Sequence, residues 1–149
     1  YEGGIRVPAV IRWPGVLPTG QKSDQLITAH DLFPTLVKAL RVKPRNSKPF
    51  YGEDLWEGLV SGKIVPHRDV IIGSRSIAIF HKQWKMIQTE RVNGGPPFRE
   101  LYLITADAKE ELDLASVYPD LTEELGSIIA RFPKGAGLAN EGGNRGGRR

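Results

Sequence analysis

The feature that most constrains this chain is a strand with no visible partner. Val7 to Trp13 reads Val-Pro-Ala-Val-Ile-Arg-Trp, a β-rich run with Pro8 near its start and the turn dipeptide Pro14-Gly15 after it, a pattern that predicts a largely buried strand. A buried strand must pair its N–H and C=O groups. The next β-rich run begins only around Val70, so this strand expects a sheet that the chain does not itself contain.

The rest of the chain reads more conventionally. Asp31 can cap a helix in which Leu32, Phe33, Leu36, Val37 and Leu40 recur at helical spacing. Pro34 is then tolerable in the first turn, and the apolar face is core. A proline-rich, basic loop from Lys43 to Pro49 follows. A short helix then runs from Asp54 as cap, with Leu55, Trp56, Leu59 and Val60 on one side and Gly62 at its exit. From Asp69 the period changes. Val70 to Gly73, Ile77 to Phe80, Trp84 to Glu90 and Arg99 to Ile104 read as short strands separated by polar or glycine-proline turns, which implies an antiparallel sheet. Pro119 opens a last helix with Leu121, Leu125, Ile128, Ile129 and Phe132 on one face and Glu123 and Glu124 near its start. This helix is expected to cover the sheet.

Composition narrows the class. With 149 residues, 40% hydrophobic and 26% charged, the chain is neither disordered nor fibrous, and it suits one modest domain able to bury about 68–70% of its unfolded surface. Its longest apolar runs, such as Ile77 to Phe80, fall far short of the roughly 20 residues that span a bilayer. No cysteine is present, which excludes disulfides, zinc-thiolate sites and thiol catalysis but leaves the compartment open. The chain opens at Tyr1 and its one methionine is Met86, so the reading expects a protein that starts further upstream. No leader-like segment opens it.

Of the net charge of +4, most sits in residues 134–149, where Lys134, Arg145, Arg148 and Arg149 face the single acid Glu141 and six of sixteen residues are glycine. The body is nearly neutral. The tail reads as a flexible, solvated end. Without interleaved aromatics or repeats it is a poor nucleic-acid ligand, and nucleic acid is not among the expected partners.

Chemistry is sparse. His30, His67 and His81 match no metal-ligand spacing and are expected in capping, loop or surface roles; no metal site is assigned. No serine lies in a G-x-S-x-G elbow. Gly94-Gly95-Pro96-Pro97 lacks the amide donors of a phosphate-cradling loop and reads as a hairpin connection. Asp107, Glu110, Glu111 and Asp113 read as a solvated turn between the last strand and the last helix. From the residues alone, the chain is an α/β fragment with no catalytic centre.

Tyr1-Glu2-Gly3-Gly4-Ile5-Arg6-Val7-Pro8, then Trp13-Pro14-Gly15 and Asp31-Leu32-Phe33-Pro34-Thr35-Leu36, closely resemble the latter half of the sulfatase family, arylsulfatase-like sulfuric ester hydrolases. Trp84-Lys85-Met86-Ile87 looks like the family's Trp-Lys-Leu-Ile strand. Leu101-Tyr102-Leu103 with Asp107, Glu110 and Leu114-Ala115 resembles its Asp-Pro-x-Glu-x-x-Asn-Leu-Ala segment, with Ala108 standing for the proline and Asp113 for the asparagine. The resemblance runs from residue 1 to about 133.

The resemblance implies the C-terminal fragment of an α/β, alkaline-phosphatase-like sulfatase fold. Residues 1–66 would be the end of the large domain, one strand and helix of its sheet. Residues 67–133 would be a small antiparallel subdomain covered by a C-terminal helix, and 134–149 the tail. It implies structural roles for Glu2, Gly3, Gly4, Arg6, Pro8, Asp31, Pro34 and Thr35: glycines for a sharp turn or close approach, Arg6 for an ion pair, Asp31 as a helix cap, Pro34 and Thr35 at a helix start. Arg75, His81 and Lys82, near the strand turns, are the expected pocket-edge groups for an anionic substrate. In the family, a formylglycine made from Cys or Ser in Cys/Ser-x-Pro-x-Arg attacks sulfur, aided by basic residues and a divalent cation, usually calcium. Neither that motif nor the calcium ligands match any position here, so both are expected upstream, in the missing N-terminal sulfatase region. The implied substrate is a sulfated small molecule or glycan, the implied compartment periplasmic, secreted or lysosomal, and the chain alone inactive. The alternatives are a non-catalytic interaction module using its basic tail on nucleic acid or acidic partners, or a fragment of a related phosphonate or phosphate ester hydrolase.

Overall fold

A computed structural model describes residues 4–45, 49–73 and 76–132. Glu2, Gly3, Arg75 and the tail 134–149 lie outside the described residues. The chain divides into two compact units: Val7–Arg68, and Tyr1–Arg6 together with Asp69–Arg149. Among the described residues no helix is long and apolar enough to cross a membrane.

In the second of these, the alternating patterns produce four strands, β1 Val70–Gly73, β2 Ser76–His81, β3 Trp84–Thr89 and β4 Phe98–Leu103, paired antiparallel in chain order. Register carries the argument. Ile79 faces Met86, and Met86 faces Leu101, so one face presents a continuous apolar row. The helix α3, Pro119–Arg131, lays Leu125 and Ile129 on that row, and these residues form the buried core. Each such side chain contributes about 1.5–3 kcal/mol when fully enclosed. On the opposite face Phe80, Lys85 and Tyr102 are paired across the strands and are also buried, which makes β3 covered on both sides. The Gly94-Gly95 stretch connects β3 to β4, as its composition predicts.

The unit Val7–Arg68 departs from expectation in two ways. No strand forms over Val7 to Trp13; the segment is open, with Val10 95% exposed and Val7 and Ile11 also outside. The expected burial needed a neighbouring ladder, and there is none among the described residues of this unit. The helix α1, Ala29–Ala39, begins three residues earlier than an Asp31 cap predicts, behind Thr28 as N-cap. Its apolar side chains Leu32, Phe33 (58% exposed), Leu36 and Leu40 face out, while Asp31, Pro34 and Thr35 are buried. Periodicity identified an amphipathic helix but reversed the face that this unit encloses. The short helix α2, Trp56–Ser61, ends as expected on Gly62 in the left-handed region, φ 70°. Asp54 supports its start by accepting the Trp56 N–H at 2.9 Å. Among the described residues Leu17 and Leu55 are this unit's buried aliphatic side chains.

Candidate functional site

The buried side of α1 is a polar clamp. Asp31 and Thr35 are one helical turn apart, on the same face. The Asp31 Oδ1 accepts the Glu53 N–H at 2.8 Å, and the Thr35 hydroxyl accepts the Leu55 N–H at 3.0 Å. Together they bind the backbone leading into α2. Between them Pro34 sits in the helix's second turn, not its first. Lacking an N–H, it leaves the His30 carbonyl without its usual helical donor. Gly52 comes against that carbonyl so closely that a Cβ there would lie 1.9 Å from the His30 oxygen, so no side chain fits. The Asp-x-x-Pro-Thr signature thus forms a seat for residues 52–55.

Asp31 gathers further donors on its second oxygen. The Thr28 N–H and hydroxyl both donate to Oδ2 at 2.7 Å, and His67 Nε2 lies 3.1 Å away. The Arg68 guanidinium reaches to 3.6 Å of Oδ1 and stacks over Tyr51, while the Arg68 N–H donates to Glu53 Oε2 at 3.0 Å. His67 Nδ1 is 2.7 Å from the Arg68 carbonyl oxygen. The two ring nitrogens thus face the Arg68 carbonyl oxygen and the Asp31 carboxylate. Asp31 is completely buried. Burial, the largest single influence on its carboxyl, works against charge. It is outweighed by donation from the Glu53 N–H, the Thr28 hydroxyl and N–H, and His67, which hold the pKa at about 2 instead of 3.8. The cluster of Asp31, Glu53, His67 and Arg68 is held together by these internal contacts and anchors structure.

In the sheet-bearing unit, the carboxylates expected to form a solvated turn behave differently from one another. Asp107 accepts the Glu111 and Leu112 N–H groups at 3.1 and 2.9 Å; these donors, Leu112 first, hold its carboxyl below the ordinary range. Asp113 Oδ1 accepts the Leu101 and Ala115 N–H groups, each at 2.9 Å. An asparagine oxygen would accept both equally well, which is why aspartate serves here. Glu110 corrects the expectation of solvation: it is buried, in a left-handed conformation at φ 58°, and ion-paired to Lys85, whose ammonium lies over the Phe80 ring.

Of the three expected pocket-edge residues, His81 and Lys82 are neighbours in the chain and Arg75 lies outside the described residues. His81 closes β2 and Lys82 follows in the hairpin turn, exposed, with φ 54°. His81 Nδ1 is 2.7 Å from Asp69 Oδ1. Of the signature residues, Asp31, Pro34 and Thr35 converge as described. Gly4 lies in a short turn, where a Cβ would meet nothing within 4 Å. Arg6 and Pro8 are exposed. Sequence reasoning missed His67, Arg68, Glu53 and Asp69, because their partners lie 12 to 36 residues away and no spacing rule links them. An open groove of about 920 Å³ between α1 and α2, lined by Val37, Phe50, Trp56 and Val60, carries no convergent catalytic groups. Among the described residues no group of three His, Cys, Asp or Glu side chains is placed to hold a metal.

The model of the sulfatase family matches residues 1–42. An uncharacterized sulfatase of Schizosaccharomyces pombe is 34% identical over 138 residues, covering 83% of this chain and 24% of that protein. The N-acetylgalactosamine-6-O-sulfatase of Bacteroides thetaiotaomicron is 28% identical over 143 residues, covering 87% of this chain and 27% of that one. The chain thus spans about a quarter of the length of these relatives. A solved Bacteroides thetaiotaomicron structure, from work on glycosaminoglycan metabolism, superposes with a TM-score of 0.71 at 22% identity over 87% of this chain and 29% of that chain. The shared fold is the alkaline-phosphatase-like fold of the sulfatases, here represented by its small antiparallel sheet and C-terminal helix. Matched at its start by the family model, along most of its length by relatives and in its fold by a solved structure, this chain is similar to the C-terminal part of the sulfatase family.

Proposed function

We propose that this chain is the supporting C-terminal part of an enzyme that hydrolyses sulfate esters on sugars, and that it cleaves nothing by itself. The observation that carries the reading is the outward-facing apolar surface of the unit Val7–Arg68. Val7, Val10 and Ile11, and separately Leu32, Phe33, Leu36 and Leu40, are exposed in numbers that an independent protein of this size rarely tolerates. Three quarters of the relatives' length lies outside the match, and we assign it the role of covering these faces. The extended segment then joins a sheet, and α1 packs its apolar side against it.

The chemistry follows from the same division. The described residues do not compose a calcium cage, so the cation and the formylglycine nucleophile of the family are assigned to the remainder of the protein. When bound there, the cation would supply charge stabilisation at the sulfate. This chain's part is mechanical. The clamp of Asp31 and Thr35 holds the chain before α2, Lys85 and Glu110 hold the turn after β4, and the hairpin bearing His81 and Lys82 edges the substrate entrance. Sulfated sugar is favoured over other sulfate esters because the relatives include an N-acetylgalactosamine-6-O-sulfatase and a protein of glycosaminoglycan metabolism.

The test is turnover of nitrophenyl sulfate and of sulfated monosaccharides by the full-length protein, by the 149-residue chain, and by the chain mixed with its upstream region. Activity is expected in the first and the third. Turnover by the chain alone would refute the division of labour, and no turnover of any sulfate ester by the full-length protein would refute the sulfatase reading.

A further inference from the structure

We infer that Asn93 is a self-modifying position, at which the backbone nitrogen of Gly94 closes on the side-chain amide and water then leaves an aspartate or isoaspartate in its place. The inference does not depend on the sulfatase reading. Of the four asparagines in the chain, Asn46, Asn93, Asn140 and Asn144, only Asn93 precedes a glycine. Its setting in the sheet unit is what leaves that dipeptide reactive. In the tightest hairpins an Asn-Gly pair is the whole turn, and strand pairing on both sides holds its backbone. Here the last pair of the β3–β4 ladder is Thr89 with Phe98, so Asn93 and Gly94 sit midway along the connecting loop, residues 90–97, away from any ladder bond.

Residues 90–96 are exposed, and Val92 is entirely so. The hydrogen bond that restrains this stretch runs from the Gly94 N–H to the Arg91 carbonyl oxygen at 3.2 Å, the long end of the useful range. An asparagine in a turn commonly spends its side chain on a neighbouring backbone group. The Asn93 amide makes no hydrogen bond among the described residues. Gly94 has φ 75°, and a Cβ built on it or on Gly95 would meet nothing within 4 Å, so nothing crowds the nitrogen that attacks. The two reacting groups are adjacent in the chain, which makes the step intramolecular. The Gly94 N–H gives its proton to a solvent base, the nitrogen bonds to the Asn93 Cγ, and the Cγ–NH2 bond breaks to release ammonia. Water then opens the succinimide ring. Opening at the side-chain carbonyl yields aspartate; opening at the backbone carbonyl yields isoaspartate, with the main chain rerouted through the side chain. Either product adds a carboxylate and lowers the formal net charge of +4 by one, in a loop whose other charges, Glu90 and Arg91, cancel.

The experiment ages the full-length protein in mildly alkaline buffer, native and in concentrated urea, and follows the tryptic peptide of residues 92–99 by mass spectrometry. Native protein is expected to convert at a rate within roughly ten-fold of the unfolded protein, because a loop of this kind costs little to open. Two products of equal mass should separate, one of them accepting a methyl group from an isoaspartyl methyltransferase. In mildly acidic buffer the succinimide should accumulate, lighter than the parent peptide by one ammonia. Gly94→Ala sets a methyl beside the attacking nitrogen and should slow conversion roughly ten-fold or more. Asn93→Gln demands a larger ring and should abolish it. Native conversion slower than the stated range overturns the inference, since the turn then protects the amide. Conversion that is as fast in N93Q as in the parent overturns it as well. Asn93 is exposed, so N93Q keeps the test valid even where G94A, strained at φ 75°, fails to fold.

Discussion

The unit Asp69–Arg149, with its sheet, encloses Ile79, Met86, Leu101, Leu125 and Ile129 beneath α3, whereas the unit Val7–Arg68 encloses Asp31 and Thr35 and turns Leu32, Phe33, Leu36 and Leu40 outward. The first is held by non-directional apolar burial in a complete core. The second is held by hydrogen bonds of defined direction, with Leu17 and Leu55 as its buried aliphatic side chains among the described residues. The difference teaches that one unit closes its own apolar interior, while the other leaves an apolar face open, which we propose the rest of the protein covers. A polar clamp fixes backbone positions accurately, which suits a segment that must present a prepared surface.

The contrast can be broken most forcefully at the buried Lys85–Glu110 ion pair of the sheet unit. Replacing Glu110 by Gln takes a carboxylate away from the buried Lys85 ammonium and is expected to cost about 3–5 kcal/mol in chemical denaturation, the scale of a buried pair that loses one member. A loss under about 1 kcal/mol would mean that other groups or water hold Lys85 without Glu110.

Next in size is the acid response of the clamp. The Asp31 carboxyl titrates at about 2 in the folded state against 3.8 ordinarily, so its pKa is depressed by folding. The stability it contributes is complete above the unfolded value, near pH 4, and disappears as pH falls toward 2. The depression corresponds to roughly 2 kcal/mol. Melting curves from pH 5 to pH 2 should show this loss in the parent and a flatter profile in D31N. Parallel curves would remove Asp31 from its place as the anchor.

Thr35→Val keeps the shape but leaves the buried Leu55 N–H without an acceptor, for an expected loss of about 1–2 kcal/mol; hydrogen exchange at Leu55 should accelerate with it. Smallest is the effect of Leu36→Ser on the outward face of α1. On the 149-residue chain it should stay within about 0.5 kcal/mol, while in the full-length protein, where we propose that this face is covered, it should cost several times more. Equal small effects in both would show that the face is never buried.

Much of the sheet unit was legible. Its strands are neighbours in sequence, their connections are short, and the alternation of residues such as Ile77 to Phe80 reports directly which side is inside. Pro119 and the spacing of Leu121, Leu125, Ile128 and Ile129 marked α3 for similar reasons. The clamp was not legible. Asp31 looked like a cap because its side chain does serve the helix start, but from the third position, reaching back to Thr28. The partners Glu53, His67 and Arg68 are joined to it only by the fold.

What the sequence determined by itself is local: where helices and strands start, which residues could carry chemistry, that Val7 to Trp13 lacks a neighbour to pair with, and, through its signatures, the resemblance to one family. What only the tertiary structure decided is which face of α1 is enclosed, that Glu110 is buried against Lys85, and that Asp69 aims His81. The reason is physical. Periodicity measures what a segment would gain by leaving water, a property of that segment alone, while a buried carboxylate or an oriented imidazole is stable only where donors and acceptors from distant parts of the chain arrive at hydrogen-bonding distance.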